Sequence, residues 1–217
     1  ISGRYSVLSE SGMFPASLMG FNLSKFKNLN FFIKNKTFVS SLIQNVASIH
    51  TLNNSGFKNS VILNYNANLN NLTYWYQQLV AESLGKKGKG INPIISFAPK
   101  DHHSLFQLYL DGPKDKFFTF INCSSKQKKI KVKKDISFGN MKFLKNKSLE
   151  FIIKSQCNAS KNIFKLKNIP FKKFNFEKNN EHELGKIFTF FALETILLAR
   201  LMNVNPFDQP AVEQIKI

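Results

Sequence analysis

The sequence predicts an α/β protein in three layers, a parallel β-sheet with helices on both of its faces. Three observations carry that expectation. The chain has 217 residues, 43% of them apolar, which suffices for one substantial core or two small ones. Its apolar runs alternate between short strand-like stretches and longer segments with helical spacing. Strands and helices following one another in this way need crossover connections, and these give a parallel sheet covered on both sides.

Taken in order, Phe14 to Phe21 carries Pro15 near its start and reads as a short helix. Between Lys36 and Ile49 the apolar residues Phe38, Leu42, Ile43 and Val46 fall at helical spacing. Ser60 to Asn64 holds Val-Ile-Leu between Gly56 and Asn-rich sequence, the mark of a buried strand. Asn70 to Leu84 places Leu72, Trp75, Tyr76 and Leu79 on one helical face, with Gly85 as its stop. Pro93 to Phe97 follows as a strand, His103 to Leu110 as a helix stopped by Asp111-Gly112-Pro113, and Phe117 to Ile121 as a strand. Lys145 to Gln156 reads as helical, Asn162 to Ile169 as strand-like and Glu183 to Leu201 as a long apolar helix. In open α/β folds ligands sit beyond the carboxyl ends of the strands, which directs attention to the segments after Asn64, Phe97 and the final helix.

The net charge is +18, which raises nucleic acid or an anionic membrane as partners. Arg4 and Arg200 are the only arginines, however, and lysine lacks the bidentate geometry that reads phosphate and guanine. Lys, Asn, Ile and Phe share A/T-rich codons, so compositional drift accounts for their joint excess. The lysines concentrate between Lys126 and Lys178, where Asp135, Glu150 and Glu177 are the only acids. The expectation is therefore no nucleic-acid and no membrane partner. Ile187 to Met202, the longest apolar stretch, is interrupted by Glu194 and Arg200 and is short for a membrane span. Cys123 and Cys157 match no zinc spacing and no disulfide framework, so a reducing compartment is the default. Nothing at the start resembles a signal peptide. Opening on Ile1, the residues are expected to begin partway through a longer protein.

Four segments hold polar groups out of place in a scaffold. They are Gly3-Arg4-Tyr5-Ser6, Ala81 to Lys86, Asp101-His102-His103-Ser104, and Asn205 to Lys216. Glu82 falls in the last turn of its helix, where the dipole is negative. A carboxylate held there has its pKa raised, which suits a general base near neutral pH. Each segment also has an ordinary explanation. On pattern alone Glu82 reads more readily as a surface carboxylate, Asp101 as a helix cap beside His103, Asn205-Pro206 as a helix stop and Arg4 as a solvated terminal residue.

Taken together and in this order, the segments resemble the glucose-6-phosphate isomerase (phosphoglucose isomerase) family. Ser2-Gly3-Arg4-Tyr5-Ser6 is similar to its Gly-Gly-Arg-Tyr/Phe-Ser segment, with Ser2 in place of the first Gly. Trp75 to Lys86 resembles Trp-Tyr-x-x-Leu-x-x-Glu-Ser-x-Gly-Lys, and Gly90 to Leu110 looks like Gly-x-x-Pro followed by Asp-x-His-Ser and a helix. Asn205 to Lys216 is similar to Asn-Pro-Phe-Asp-Gln-Pro-x-Val-Glu-x-x-Lys, with Ala211 replacing a common Gly. The likeness is weakest between Phe21 and Asn59 and in the lysine-rich stretch. The family has two sugar-isomerase (SIS) domains, with its Ser/Thr-rich phosphate-gripping loop in the first, and no such loop is found here. The chain is thus expected to be the C-terminal portion: 1–22 the end of the first domain, 23–203 the second, and 204–217 a catalytic segment.

The resemblance implies interconversion of glucose 6-phosphate and fructose 6-phosphate through a cis-enediol, in glycolysis and gluconeogenesis, by a cytoplasmic homodimer without metal or organic cofactor. By motif position Glu82 is the base, and Arg4 stabilises the enediolate. His103 and Lys216 serve ring opening, while Gln209 and the backbone of Gly3 line the sugar pocket. In the family the histidine comes from the neighbouring subunit. Two other readings remain open at this point. A metal-dependent phosphoesterase is echoed by Asp101-His102-His103 but needs further ligands. A non-catalytic sugar-phosphate-binding SIS-type module is compatible with the missing half.

Overall fold

The computed structural model describes residues 3–123, 130–132, 139–176 and 180–214. Its elements, in order, are α1 (Glu10–Leu18), α2 (Leu23–Phe26), α3 (Leu29–Lys34), α4 (Lys36–Asn54), β1 (Asn59–Asn64), α5 (Asn70–Leu84), β2 (Asn92–Phe97) and α6 (Lys100–Asp111). There follow β3 (Lys116–Cys123), α7 (Leu149–Leu166), β4 (Phe171–Phe176), α8 (Glu181–Leu201) and α9 (Pro210–Glu213), with short 3₁₀ turns at Ser6–Leu8, Ala67–Leu69 and Gly139–Leu144. The four strands form one parallel sheet in the order β2-β1-β3-β4, flanked by helices, as the α/β reading expects. β3 pairs with β4 in parallel from Phe118 opposite Phe171 to Cys123 opposite Phe176.

The chain divides into two compact units. The first gathers residues 1–60, 71–94 and 180–217. There α8 packs against α2, α3 and α4, and its contact with α2 depends on Gly185, where a Cβ would lie 2.4 Å from the carbonyl oxygen of Phe26. Phe32 stacks on Phe38, Phe38 meets Phe190 edge-on, and Tyr76 lies against Phe191. The second unit, residues 61–70 and 95–179, holds β3, β4, α6 and α7. Its core is aromatic: Phe164 of α7 meets Phe106, Phe118, Phe120 and Phe171. Phe118, Phe120 and Phe164 are fully buried. Ring pairs of this kind contribute about 0.5–1.5 kcal/mol beyond the area they bury.

Several boundaries move from their expected places, each for a local reason. α4 runs on to Asn54 and begins at Asn35, whose side chain accepts the amide of Phe38. The Asn162–Ile169 stretch is not a strand: residues 162–166 complete α7, whose inner residues Cys157, Ser160 and Phe164 keep helical spacing. The helix stops at Asn168, which is left-handed (φ +53°), while the amide of Ile169 donates to the carbonyl of Phe164. The strand comes afterwards, as β4. At the other end α7 starts at Leu149, four residues later than expected, because Ser148 caps the amide of Phe151. Asp101 is not the cap of α6. It sits one residue inside the helix and reaches back, accepting from the amide of Phe97 (2.7 Å) and the hydroxyl of Ser96 (3.1 Å).

No described helix is long and apolar enough to cross a membrane. Cys157 is a buried free thiol whose pKa is pushed up by burial.

Candidate active site

A cluster forms within the first unit where three chain segments meet. The first begins at Gly3, whose φ of +92° favours glycine. Its carbonyl accepts from both the amide and the hydroxyl of Ser6, closing a turn that carries Arg4. The second segment is the end of α5. Leu72, Tyr76, Leu79, Val80 and Ser83 are its buried stripe, so Ser83 faces inward beside the half-buried Glu82. The third follows α8, which ends with Asn203 left-handed (φ +54°) and the amide of Val204 donating to the carbonyl of Ala199. The chain then turns at Asn205–Asp208, where the side chain of Asn205 accepts the amide of Phe207 (3.0 Å) and donates to Asp208 Oδ2 (3.1 Å).

Arg4 is the hub. It is 7% exposed, and all five of its N–H donors are engaged. Nε donates to Ser83 Oγ (2.8 Å); Nη1 donates to Glu82 Oε2 (3.0 Å) and Gln209 Oε1 (3.2 Å); Nη2 donates to the carbonyls of Pro206 (2.6 Å) and Asp208 (2.9 Å). The indole of Trp75 donates to the Arg4 carbonyl (2.9 Å), which fixes the backbone as well. The other oxygen of Glu82 accepts from Gln78, one turn earlier (2.9 Å). With its side chain 26% exposed, Glu82 presents a carboxylate to solvent while a buried guanidinium holds it from behind. The unfavourable helix-end field anticipated for this residue is thus opposed by a cation in contact. Tyr5 shares Ser83 Oγ (3.0 Å), and burial pushes its phenol above the usual range.

A second cation serves the same region. After α5, residues Lys86–Lys89 form a two-residue hairpin with Lys87 and Gly88 both left-handed (φ +53° and +69°). It delivers the ammonium of Lys86 to Asp208 Oδ1 (2.7 Å) and to the carbonyl of Asn205, and that of Lys89 to the carbonyl of Met202 (2.9 Å). The hydrogen bond from Lys86 holds the Asp208 carboxyl below the usual carboxylate range. A cavity of about 610 Å³ borders this hairpin, lined in part by Lys58, Lys89, His50 and Asn53. Its two lysines are spent on the helix-end carbonyls of Asn53 and Met202.

The residues expected from sequence are placed as follows. Arg4, Glu82 and Gln209 come together, and Gly3 shapes the turn that carries Arg4. His103 belongs to the second unit and is exposed on α6. Lys216 lies outside the described residues. His102, next to His103 in sequence, is half-buried: its Nε2 lies 2.7 Å from the hydroxyl of Tyr65, which also donates to Ser160 (3.0 Å). Burial lowers the His102 pKa, with Asp101 acting in the opposite sense. Among the described residues no three His, Cys, Asp or Glu side chains converge as metal ligands. Of the three segments that the strand-end rule singled out, the one after α8 lies in the cluster. Glu82 comes instead from a helix end, and Arg4 from the turn before the first helix.

Ser83, Trp75 and Lys86 also belong to the cluster, and the sequence assigns them no part in the chemistry. Ser83 had a readable signal, a polar residue four after Leu79 and seven after Tyr76 on an apolar stripe. Lys86 is marked only as the last position of the Trp75–Lys86 motif, and its partners, 119 and 122 positions away, leave no local trace.

The chain matches the model of the family described as phosphoglucose isomerase over residues 1–217. It is 34% identical over 218 residues to a probable glucose-6-phosphate isomerase of Methanococcus maripaludis, covering 98% of this chain and 49% of that protein. A glucose-6-phosphate isomerase of Methanocaldococcus jannaschii is 32% identical, covering 100% and 54%. The fold matches a hypothetical protein of Thermus thermophilus (TM-score 0.88, 23% identity, 100% of this chain and 54% of that one). It also matches a glucose-6-phosphate isomerase of Chlamydia trachomatis (TM-score 0.74, 18% identity, 100% and 46%). The chain therefore spans about half the length of the relatives it matches.

Proposed function

The chain belongs to the phosphoglucose isomerase family, and on that premise we propose that the protein containing it interconverts glucose 6-phosphate and fructose 6-phosphate. The observation that carries this reading is a partly exposed carboxylate, Glu82, held 3.0 Å from a buried guanidinium, Arg4. In the open-chain aldose, Glu82 removes the proton from C2. The C2–H electron pair forms the C1=C2 double bond, and the carbonyl electrons move onto the oxygen at C1. The hydroxyl proton of O2 passes to the oxyanion at O1, the O2 electron pair forms the C2 ketone, and the C1=C2 pair takes the proton back from Glu82 at C1. One base suffices because C1 and C2 are bonded neighbours. The negative charge that develops on the enediolate oxygen calls for a fixed cation in a site poor in water, where its effect is greatest. Arg4 fits that need, being held by Ser83 and two backbone carbonyls that are not part of the chemistry.

Since all five donors of Arg4 are taken, a substrate oxygen enters by replacing a partner on Nη1, either Gln209 or Glu82. Gln209 then turns to the sugar. His103 and Lys216 complete the reading as the ring-opening pair, with His103 donated by the neighbouring copy in a homodimer. The division into 1–22, 23–203 and 204–217 belongs to the same reading, as do the phosphate grip in the remainder of the protein, the place in glycolysis and gluconeogenesis, and the cytoplasmic location. In the full-length protein, Glu82→Gln keeps the side chain's shape and one acceptor for Arg4 while removing the base, so turnover falls by about two to four orders of magnitude. Undiminished isomerisation by that variant refutes the assignment.

A further inference from the structure

We propose that Lys86 is a positioning residue, which together with Arg4 clamps the Asn205–Asp208 turn and so sets Gln209 and the chain beyond it. The inference rests on the reading of Arg4, Glu82 and Gln209 just given. Four oxygens of this one turn are held by two buried cations. Arg4 takes the carbonyls of Pro206 and Asp208; Lys86 takes the carbonyl of Asn205 and the carboxylate of Asp208. The Lys86 side chain is only 9% exposed and Asp208 is half exposed, so the ammonium is given up to this contact and not to solvent. The turn is also braced internally by Asn205. Immediately after it, Gln209 reaches Arg4 Nη1 and α9 begins.

The geometry assigns the two cations separate tasks. Arg4 faces the reacting carbon atoms through Glu82 and holds the turn with its far nitrogen. Among the described residues the Lys86 ammonium is bonded to the Asn205 carbonyl and the Asp208 carboxylate, and through them it acts on the turn. The hairpin with two left-handed residues supplies it, an anchor separate from Arg4, on which Gln209 exchanges with the sugar.

The test uses the full-length protein and three variants: Lys86→Met, Asp208→Asn, and the two combined. Loss of the clamp misplaces the segment while leaving Arg4 and Glu82 in place. Misplacement of this kind is worth about tenfold to a hundredfold in kcat, with a smaller change in KM. Both single variants are expected to fall in that range and the double variant no lower than the worse single one, since they break the same contact. Backbone hydrogen exchange in residues 205–214 is expected to speed up while that of α8, residues 185–200, stays protected. If Lys86→Met does not fold, Asp208→Asn tests the contact from its exposed side. A kcat within twofold of wild type in both single variants overturns the proposal, as does equal loss of protection in α8 and in 205–214. Wild-type protein without isomerase activity refutes the functional reading instead, and the exchange measurement still decides the clamp.

Discussion

Ser83→Ala removes a single oxygen from the interior and probes how the guanidinium is aimed. Ser83 is fully buried, so water cannot take the place of its hydroxyl. That hydroxyl accepts from Arg4 Nε at 2.8 Å and meets the phenol of Tyr5 at 3.0 Å. A buried donor on a charged group that loses its acceptor costs about 1.5–3 kcal/mol. The cost appears in stability if Arg4 keeps its orientation with Nε unsatisfied. It appears in rate if the guanidinium turns to find another acceptor and draws Nη1 away from Glu82. At about 1.4 kcal/mol per tenfold, the second outcome lowers kcat/KM by about tenfold to a hundredfold. Steady-state kinetics and denaturant unfolding of the full-length protein, measured on the same preparation, apportion the two. Ser83→Thr, which keeps the hydroxyl, is expected to retain more of the lost quantity than Ala. The reasoning fails if Ser83→Ala lies within twofold of wild type in kcat/KM and is also equally stable.

Two further expectations concern the fold. Burial lowers the His102 pKa below its unfolded value near 6.5, so between the two pKa values the unfolded chain binds more protons. Stability is then complete above that window and falls as pH drops through it; unfolding measured from pH 7.5 to 5 should show the slope, and His102→Gln should flatten it. Gly185→Ala ordinarily strengthens a helix, yet here the new methyl meets the carbonyl and Cα of Phe26 at 2.4 and 2.9 Å, forcing α2 and α8 apart. A loss of about 1–3 kcal/mol by denaturant unfolding is expected, and a gain in stability contradicts the close approach.

Local pattern made much of the fold legible. The Val61-Ile62-Leu63 run is a buried strand, and α5 spans Asn70–Leu84 as its spacing and stop require. Misreadings arose where two signals overlapped. The end of α7 carries Phe164 and Ile169 among lysines and asparagines, a pattern that suits either a strand or a helix ending in a left-handed Asn. Polar residues in apolar helices were the other blind spot. Glu194 reads in sequence as an interruption of an apolar stretch. Within the fold it is fully buried, accepting from Tyr76 (2.8 Å) and from the side chain of Asn45. That network ties α8 and α4 to the helix bearing Glu82 and Ser83, and nothing in the spacing of α8 announces it.

The sequence by itself determined the α/β class, the positions of β1, β2, β3 and most of the longer helices to within a few residues, but not β4, α2 or α3, and, through its four ordered motifs, the family. These are properties of neighbouring residues, for which helical and strand periods leave a trace along the chain. Tertiary structure alone decided that Arg4 spends every donor inside the protein, and that two of its partners, Glu82 and Gln209, come from 78 and 205 positions away. It also decided that His102 is half-buried against Tyr65 while its neighbour His103 is exposed, and that Lys86 grips the turn before Gln209. Such contacts depend on which helix ends packing brings together. A charged side chain reads the same in sequence whether it meets solvent or a carbonyl from the far end of the chain.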